Sequence, residues 1–456
     1  MSSQRYDLAI VGGGIAGLAI SEIFARSGRS VILLERDAHL CQGTSASQHG
    51  WFHFGSLYSI FPQNQYLRTM VGGVEDLLNY YAMFPGMNIT VADCGRLAFP
   101  QTAGAWFRDE PIEYIVSARN DPDFDMLRFH GLRDYARKVF FLATWEIAIK
   151  QFVSRHQRFY RHNWHGPVAA SQWIPRAGWA DYSRQVITKP NQPGVNLDVD
   201  THFRIVGYDR PMVSTTIITD LVRSLIGAGG EIVSGTEVEC LEKIGAGSTL
   251  YTSCGKAITA NTVIVSAGQW LGRFLGPSTV LKVLASPLVV AYPAVADSNF
   301  VRMTPFVEKS VNHLHHQIDG NVYSLIGGGY FANPDDVAGV ARAREKLKDM
   351  AIRVFPKLGD AQVLETYLGY KTEMVAKAGE RNYQYFIRKI DDGVYAVIPG
   401  KFSLAFSLAV NVFKSLTGDV PALQISMAEP DNTRAFVGLT RHALLVRRGL
   451  GNQYLV

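Results

Sequence analysis

Tyr6-Asp7-Leu8-Ala9-Ile10-Val11-Gly12-Gly13-Gly14-Ile15-Ala16-Gly17 stands at the start of the chain, and its reading decides the fold. The apolar run Tyr6 to Val11 has the length of a strand buried in a parallel sheet. It ends in G-x-G-x-x-G, carried by Gly12, Gly14 and Gly17. Gly12 permits the tight turn, Gly14 lets a pyrophosphate approach the backbone, and Gly17 lets the next helix pack close to the strand. That helix is expected from Ile15 to about Ser27, with its N-terminal N–H groups and positive dipole end aimed at the phosphates, and Gly28 closes it. Val31-Ile32-Leu33-Leu34 is the next buried strand. Glu35 follows, 18 residues beyond Gly17, where an acceptor holds ribose hydroxyls. Strand, turn, helix, strand and acid in this order make a dinucleotide unit rather than a turn serving packing alone. Glu35 in place of a basic cluster disfavours a 2′-phosphate, and the unit does not decide between FAD and NAD.

The 456 residues suffice for two or more domains, and 47% hydrophobic with 19% charged residues is a globular composition. The net charge of +5 is spread along the chain, which suits an anionic substrate and is too diffuse for a nucleic-acid binder. Cys41, Cys94, Cys240 and Cys254 lack CxxC or metal spacing and read as free thiols of a reducing compartment. Met1 to Arg5 leads directly into the first strand with no signal peptide, and no apolar stretch suits a spanning helix, so the expected location is the cytoplasm.

After the second strand, Gly43 to Gly55 is rich in glycine, small hydroxyl residues and histidine, as in a loop that touches a cofactor. Gln65 to Met83 has helical spacing. Residues 103 to 200 read as an insertion or cap, with an amphipathic helix over Leu132 to Val153. The run Ser154 to His165 holds His156, His162 and His165 without metal-ligand pairing, so no metal is expected. Thr215 to Ala228 is a helix followed by the strand Glu231 to Val233, and Thr262 to Val265 is a buried strand ending in Ser266-Ala267-Gly268. Residues 282 to 292, 311 to 317, 321 to 328 and 363 to 370 alternate like strands of an antiparallel sheet, interrupted by a helix over 336 to 354. The strand Gly393 to Ile398 turns through Pro399-Gly400-Lys401-Phe402-Ser403 into a helix and repeats the opening geometry. The residues after Gly418 show no such order, and Arg447-Arg448 reads as solvated.

This order of features resembles the D-amino-acid oxidase superfamily of FAD-dependent oxidoreductases over roughly residues 5 to 417. Its carriers are Gly12 to Gly17 with Glu35, Gly43-Thr44-Ser45-Ala46-Ser47, Gly229-Gly230-Glu231-Ile232 with Gly235-Thr236-Glu237-Val238, Val265-Ser266-Ala267-Gly268, and the final strand with Pro399-Gly400. Gln48-His49-Gly50-Trp51-Phe52-His53-Phe54-Gly55 and Cys94-Gly95-Arg96-Leu97 resemble segments of the L-2-hydroxyglutarate dehydrogenase branch, beside the glycine and sarcosine oxidases. The resemblance implies an α/β (overall α+β) fold: a Rossmann-type FAD domain from residues 1–60, 205–280 and 385–417, a substrate domain with an antiparallel sheet from 61–204 and 281–384, and a tail over 418–456. It implies FAD contacts from Gly12, Gly14, Ile15, Ala16, Gly17, Glu35, Arg36, Thr44, Ser45, Ser47, Gln48, His49, Val238, Ala267, Gly268, Gly400, Lys401, Phe402 and Ser403.

The expected activity is removal of a hydride from a CH–NH or CH–OH group of a small, anionic amino acid, amine or 2-hydroxy acid, with O2 or a quinone or carrier as electron acceptor. His53 is the candidate base, because histidine titrates near neutrality. Lys371 and Arg96 are the candidate anion-binding cations. Leu368-Gly369-Tyr370-Lys371-Thr372 departs from the Gly-Leu-Arg-Pro of amine-oxidising relatives, so Lys371 acts as a point charge rather than a bidentate fork. Alternatives are a tailoring enzyme or monooxygenase acting on a larger metabolite, and a flavin-stabilised binding module. Pro399-Gly400-Lys401 lacks the late Gly-Asp of aromatic-ring hydroxylases.

Overall fold

The structure, a computed structural model, describes residues 5–55, 57–60, 64–91, 97–117, 195, 202–206, 209–245, 247–275, 281–303, 310–375 and 383–451. Arg96, the expected helix over Leu132 to Val153 and the histidine run to His165 lie outside the described residues.

Strand β1 (Arg5–Val11), helix α1 (Ile15–Arg26) and strand β2 (Val31–Leu34) form the opening unit. β1 lies at the centre of an eight-stranded sheet. Glu231–Val233, β2, β1 and Ala257–Val265 run parallel side by side. Two elements then share the far edge of Ala257–Val265. The hairpin Val238–Ile244 and Gly247–Thr252 pairs antiparallel with its first half, and Val394–Ile398 pairs parallel with Val263, Ile264 and Val265. Phe386–Asp391 closes this sheet by pairing antiparallel with Val394–Ile398.

Every residue of α1 is buried, because the helix is packed between the sheet and the helices Ser214–Gly227 and Ala405–Thr417. That explains a sequence apolar on all sides. It also forces its two charges to satisfy each other: Arg26 Nε lies 3.1 Å from Glu22 Oε1, Ser224 Oγ donates to Glu22 Oε1 at 2.7 Å, and Arg26 donates to the Tyr80 carbonyl at 2.8 Å. Burial pushes the Glu22 carboxyl up while Arg26 pulls it down. Gly17 sits where a Cβ would lie 2.0 Å from the Gly12 carbonyl, so the helix approaches the turn as closely as the motif predicts.

The second sheet has seven strands in the order Val363–Met374, Leu281–Tyr292, Asn321–Gly328, Val311–Ile318, Asn299–Met303, Ile112–Ser117, His202–Val206. It is antiparallel except where Asn299–Met303 meets Ile112–Ser117. Helix Val337–Val354 covers one face, burying Leu347, Met350, Ala351 and Val354 against Val289, Phe300, Val311 and Ile326. The other face turns toward the first sheet. There Gly369 approaches so closely that a Cβ would lie 2.7 Å from the Ser47 carbonyl.

The residues after Gly418 differ from the sequence expectation. Arg441–Gly449 is a helix that buries His442, Ala443 and Val446 against Leu288, Tyr323, Leu325 and Tyr367 of the second sheet. The preceding turn donates nothing to a free tail: Phe436 accepts from Leu40 N at 2.8 Å, and Arg441 N donates to Ala46 O at 3.0 Å. Arg447, read as solvated, holds Asp319 through the Nε–Nη2 edge of its guanidinium at 2.7 to 3.0 Å. The helix is short and its outer face is charged, so its stability comes from docking rather than from a pattern visible in the chain.

Replacing Arg26 by Met strands a buried carboxylate and should lower the unfolding free energy of the apoprotein by about 3–5 kcal/mol in urea titrations. The double variant Glu22→Gln, Arg26→Met should recover most of that loss. Equal destabilisation of the single and double variants would refute a coupled pair.

Candidate functional site

One cavity of about 760 Å³ runs along the C-terminal ends of β1, β2, Ala257–Val265 and Val394–Ile398 and continues under the second sheet. At its first end, the turn after β1 is held open by close contacts. Gly12 has φ +102° and lies against Ser266, whose carbonyl a Cβ would meet at 2.6 Å. Gly14 faces the cavity, where an added Cβ would meet only Ser45 Oγ, at 3.6 Å. Ser45 Oγ accepts from Ile15 N at 3.0 Å and so caps the first turn of α1 from the 43–50 loop. Glu35 reaches back across the turn, accepting from Gly13 N at 2.6 Å and from Asp37 N at 2.8 Å. Burial raises its carboxyl against those two donors.

The middle of the cavity is the 43–50 loop. Ser47 Oγ donates to the Gly43 carbonyl at 3.1 Å, and Gln48 Oε1 accepts from Gly50 N. Gln48 Nε2 is buried without a hydrogen-bond partner on the cavity wall, and the His49 ring is buried beside it against the Leu325 backbone. Burial first, then the positive charge of Lys371, pushes His49 down to about 3, so its ring is neutral.

At the far end, Trp51–Phe52 pairs with Arg210–Pro211, and this brings His53 against Asp209. The carboxylate of Asp209 is fully buried and takes Trp51 Nε1 at 3.0 Å, Phe54 N at 2.8 Å and the Tyr114 hydroxyl at 2.6 Å. His53 Nδ1 lies 3.4 Å from Asp209 Oδ2, which leaves Nε2 as the nitrogen for the cavity. Burial works against the charge on Asp209, but His53, Tyr114 and Trp51 outweigh it and hold the carboxyl below its ordinary value. Burial is also the largest influence on His53 and lowers it; Asp209 opposes, and Lys401 and Lys371 add to the lowering. The ring is therefore an unprotonated base at pH 7. Lys371 Nζ stands 4.4 Å from the Phe331 ring centre, and Lys401 Nζ stands 5.1 Å from that of Tyr383.

The cavity thus brings together Gly12, Gly14, Ile15, Ala16, Glu35, Arg36, Thr44, Ser45, Ser47, Gln48, His49, His53, Val238, Ala267, Gly268, Lys371, Gly400, Lys401 and Phe402. Gly17 and Ser403 are not on its wall. Among the described residues there is no group of histidine, cysteine and acidic side chains that fits a metal ion. Asp209 and Tyr114 carry no local mark in the sequence: Asp209 is brought to His53 by the pairing of Trp51–Phe52 with Arg210–Pro211, and Tyr114 by its hydrogen bond to Asp209.

A family model described as FAD dependent oxidoreductase, DAO, matches residues 7–186 and 216–398. The chain belongs to this DAO family. It is an FAD-dependent oxidoreductase. Solved structures agree with its fold. L-proline dehydrogenase from P. horikoshii superposes with a TM-score of 0.61 at 14% identity, covering 96% of this chain and 100% of that one. Dithionite-reduced L-alpha-glycerophosphate oxidase from Mycoplasma pneumoniae, with FAD bound, gives 0.60 at 16%, covering 96% and 99%. Glycine oxidase from Geobacillus kaustophilus gives 0.56 at 15%, covering 92% and 97%. A comparison with curated proteins finds no match. No helix among the described residues of this DAO-family enzyme is long and apolar enough to cross a membrane.

The histidines give the DAO-family fold a pH dependence of definite sign. His49, His313 and His442 are each pushed down to about 3 by burial, so the folded chain binds fewer protons than the unfolded one below pH 6.5. Their contribution is complete above 6.5 and is lost as the pH falls. Asp76, pushed up to about 6 by burial, opposes them as the pH falls through that value, by less than a single histidine between 7 and 6. Lowering the pH from 7 to 6 should therefore reduce the urea-derived stability of the apoprotein by about 2 kcal/mol. An unchanged stability over that interval would mean that these rings are solvated.

Proposed function

We propose that this enzyme oxidises a carbon bearing nitrogen or hydroxyl on a small anionic acid, with His53 as the base, and passes the electrons to O2 or to a quinone or carrier. The observation that carries the reading is the convergence of a neutral, Asp209-backed histidine and two lysines, Lys371 and Lys401, at one end of the cavity.

The chain fits FAD on two of its own features. The open face of Gly14 is a cradle that any side chain would fill, and Gln48 Nε2 is a buried donor in want of a partner. On this reading Gly12, Gly14, Ile15 and Ala16 hold the pyrophosphate, Glu35 and Arg36 the ribose, and Val238 the adenine end. Thr44, Ser45, Ser47, Gln48, His49, Ala267, Gly268, Gly400, Lys401 and Phe402 surround the rest, while Gly17 and Ser403 stand behind the wall, Gly17 keeping α1 in place. When bound, FAD accepts the hydride.

The residues of the chain do the remainder. Lys371 and Lys401 attract the carboxylate and fix the reacting carbon. His53 Nε2 takes the O–H or N–H proton, and Asp209 stabilises the resulting imidazolium from the Nδ1 side. Trp51, Tyr58 and Tyr383 wall this end of the cavity and keep water from the transferred proton.

Anaerobic mixing with 2-hydroxy acids, amino acids, N-methyl amines and their neutral esters should bleach the flavin with the acids and not with the esters. His53→Ala should slow reduction by roughly 10²-fold or more. Lys371→Met should weaken acid binding by roughly 10- to 100-fold while FAD content stays unchanged. Esters that reduce the flavin as fast as acids would rule out the anionic substrate, and unchanged reduction in His53→Ala would rule out the base.

A further inference from the structure

Three donors converge on one oxygen of Asp209. Oδ2 takes the Tyr114 hydroxyl at 2.6 Å and Trp51 Nε1 at 3.0 Å, and His53 Nδ1 stands off from it at 3.4 Å; Oδ1 takes Phe54 N at 2.8 Å. A carboxylate oxygen has two lone-pair sites, and Tyr114 with Trp51 fills both on Oδ2. His53 Nδ1 is accordingly buried beside a carboxylate without a hydrogen bond of ordinary geometry.

The two competing donors are fixed by their strands. Tyr114 is wholly buried in Ile112–Ser117, where it pairs with Ile205 on one side and Val301 on the other, so its hydroxyl has no water to turn to. Trp51 is fixed by pairing with Pro211, next but one to Asp209. Around His53 stand the rings of Trp51 and Tyr58, with centres at 4.5 and 5.3 Å. The charges that act on it include Lys401 and Lys371, which disfavour its protonation, and Asp209, which favours it. An imidazolium bonded to a carboxylate closes to about 2.7–2.9 Å. To form that bond, His53 must share or displace a donor already on Oδ2.

We infer that Tyr114 is a positioning residue of the proton transfer: it competes with His53 for Asp209 Oδ2, so that the resting ring is a weaker base than an unshared histidine–carboxylate pair and its bond to Asp209 closes only as Nε2 takes the proton. Tyr114 is not on the cavity wall, and so it acts through Asp209 rather than on the substrate. This deepens the reading of His53 as the base and rests on it for any effect on turnover.

The test is the protonation midpoint of His53 in the FAD-loaded enzyme, followed by NMR of ring-labelled histidine and assigned by the signal lost in His53→Gln. Tyr114→Phe, which removes the hydroxyl alone, frees one site on Oδ2 and should raise the midpoint by about one pH unit. The acid limb of anaerobic flavin reduction should move up by the same amount. Trp51→Phe frees the other site and should move the midpoint in the same direction, which decides the matter if Tyr114→Phe fails to fold. In an Asp209→Asn background, Tyr114→Phe should leave the midpoint where it is, whereas repacking of the His53 end would shift it there too. A midpoint unchanged or lowered in the folded variants, or a shift that persists without the carboxylate, overturns the role of Tyr114 and leaves His53 as the base. A midpoint that rises while the limb of flavin reduction stays in place overturns His53 as the base and leaves the competition for Asp209 standing.

Discussion

The carboxylate of Asp209 is the point where the two sheets are tied together. It lies between the last strand of the second sheet and the short strand that pairs with Trp51–Phe52, and it takes donors from both sides. Trp51 and Phe54 come from the segment that follows the 43–50 loop, and Tyr114 comes from the second sheet. A buried carboxylate with fewer partners would be costly in this position. With them it becomes a fixed charge of known direction, and His53 is oriented by it. The rest of the site inherits that placement, because the loop carrying His49 and Gln48 leads directly into the segment that Asp209 anchors.

The same seam explains the close contacts elsewhere. Gly369 lets the edge strand of the second sheet touch the Ser47 carbonyl, Gly12 and Gly17 bring turn and helix together, and the C-terminal helix places His442 beside His316, whose ring reaches the His49 carbonyl at 3.1 Å. These contacts leave a cavity with a glycine-turn end and a histidine end, joined by one loop. The second fills with aromatic and cationic groups, an environment in which a neutral imidazole is favoured over a charged one.

What was legible in the chain was local. β1, the glycine turn, α1 and β2 announce themselves because strand, turn and helix periodicities follow each other without interruption, and Val394–Ile398 with Ala405–Thr417 repeats the signal. His53 stands in a segment that resembles one of the L-2-hydroxyglutarate dehydrogenase branch, and the structure places it on the cavity wall. Only the last part of Ala257–Val265 stood out, because its first half is polar enough to face the hairpin that covers it. Asn299–Met303 and Ile112–Ser117 are short, and a parallel pairing between them over almost two hundred residues has no local trace. The partners of the site were illegible for the same reason. Tyr114 falls within the stretch read as an insertion or cap, and nothing local marks Asp209; strand pairing brings both to the His53 end.

The measurement that bears most directly on this account is the pH dependence of anaerobic flavin reduction, made with the fastest-reducing acid and compared between the wild type and Asp209→Asn. With burial and two lysines holding His53 below its ordinary value and Asp209 opposing them, the wild-type rate constant should be level from pH 7 upward and fall only on the acid side of 6.5. Asp209→Asn removes the opposing charge, so the acid limb should move to still lower pH and the plateau should drop by at least about tenfold. Profiles that superimpose, with the same plateau and the same limb, would contradict the claim that the Asp209–His53 pair moves the proton.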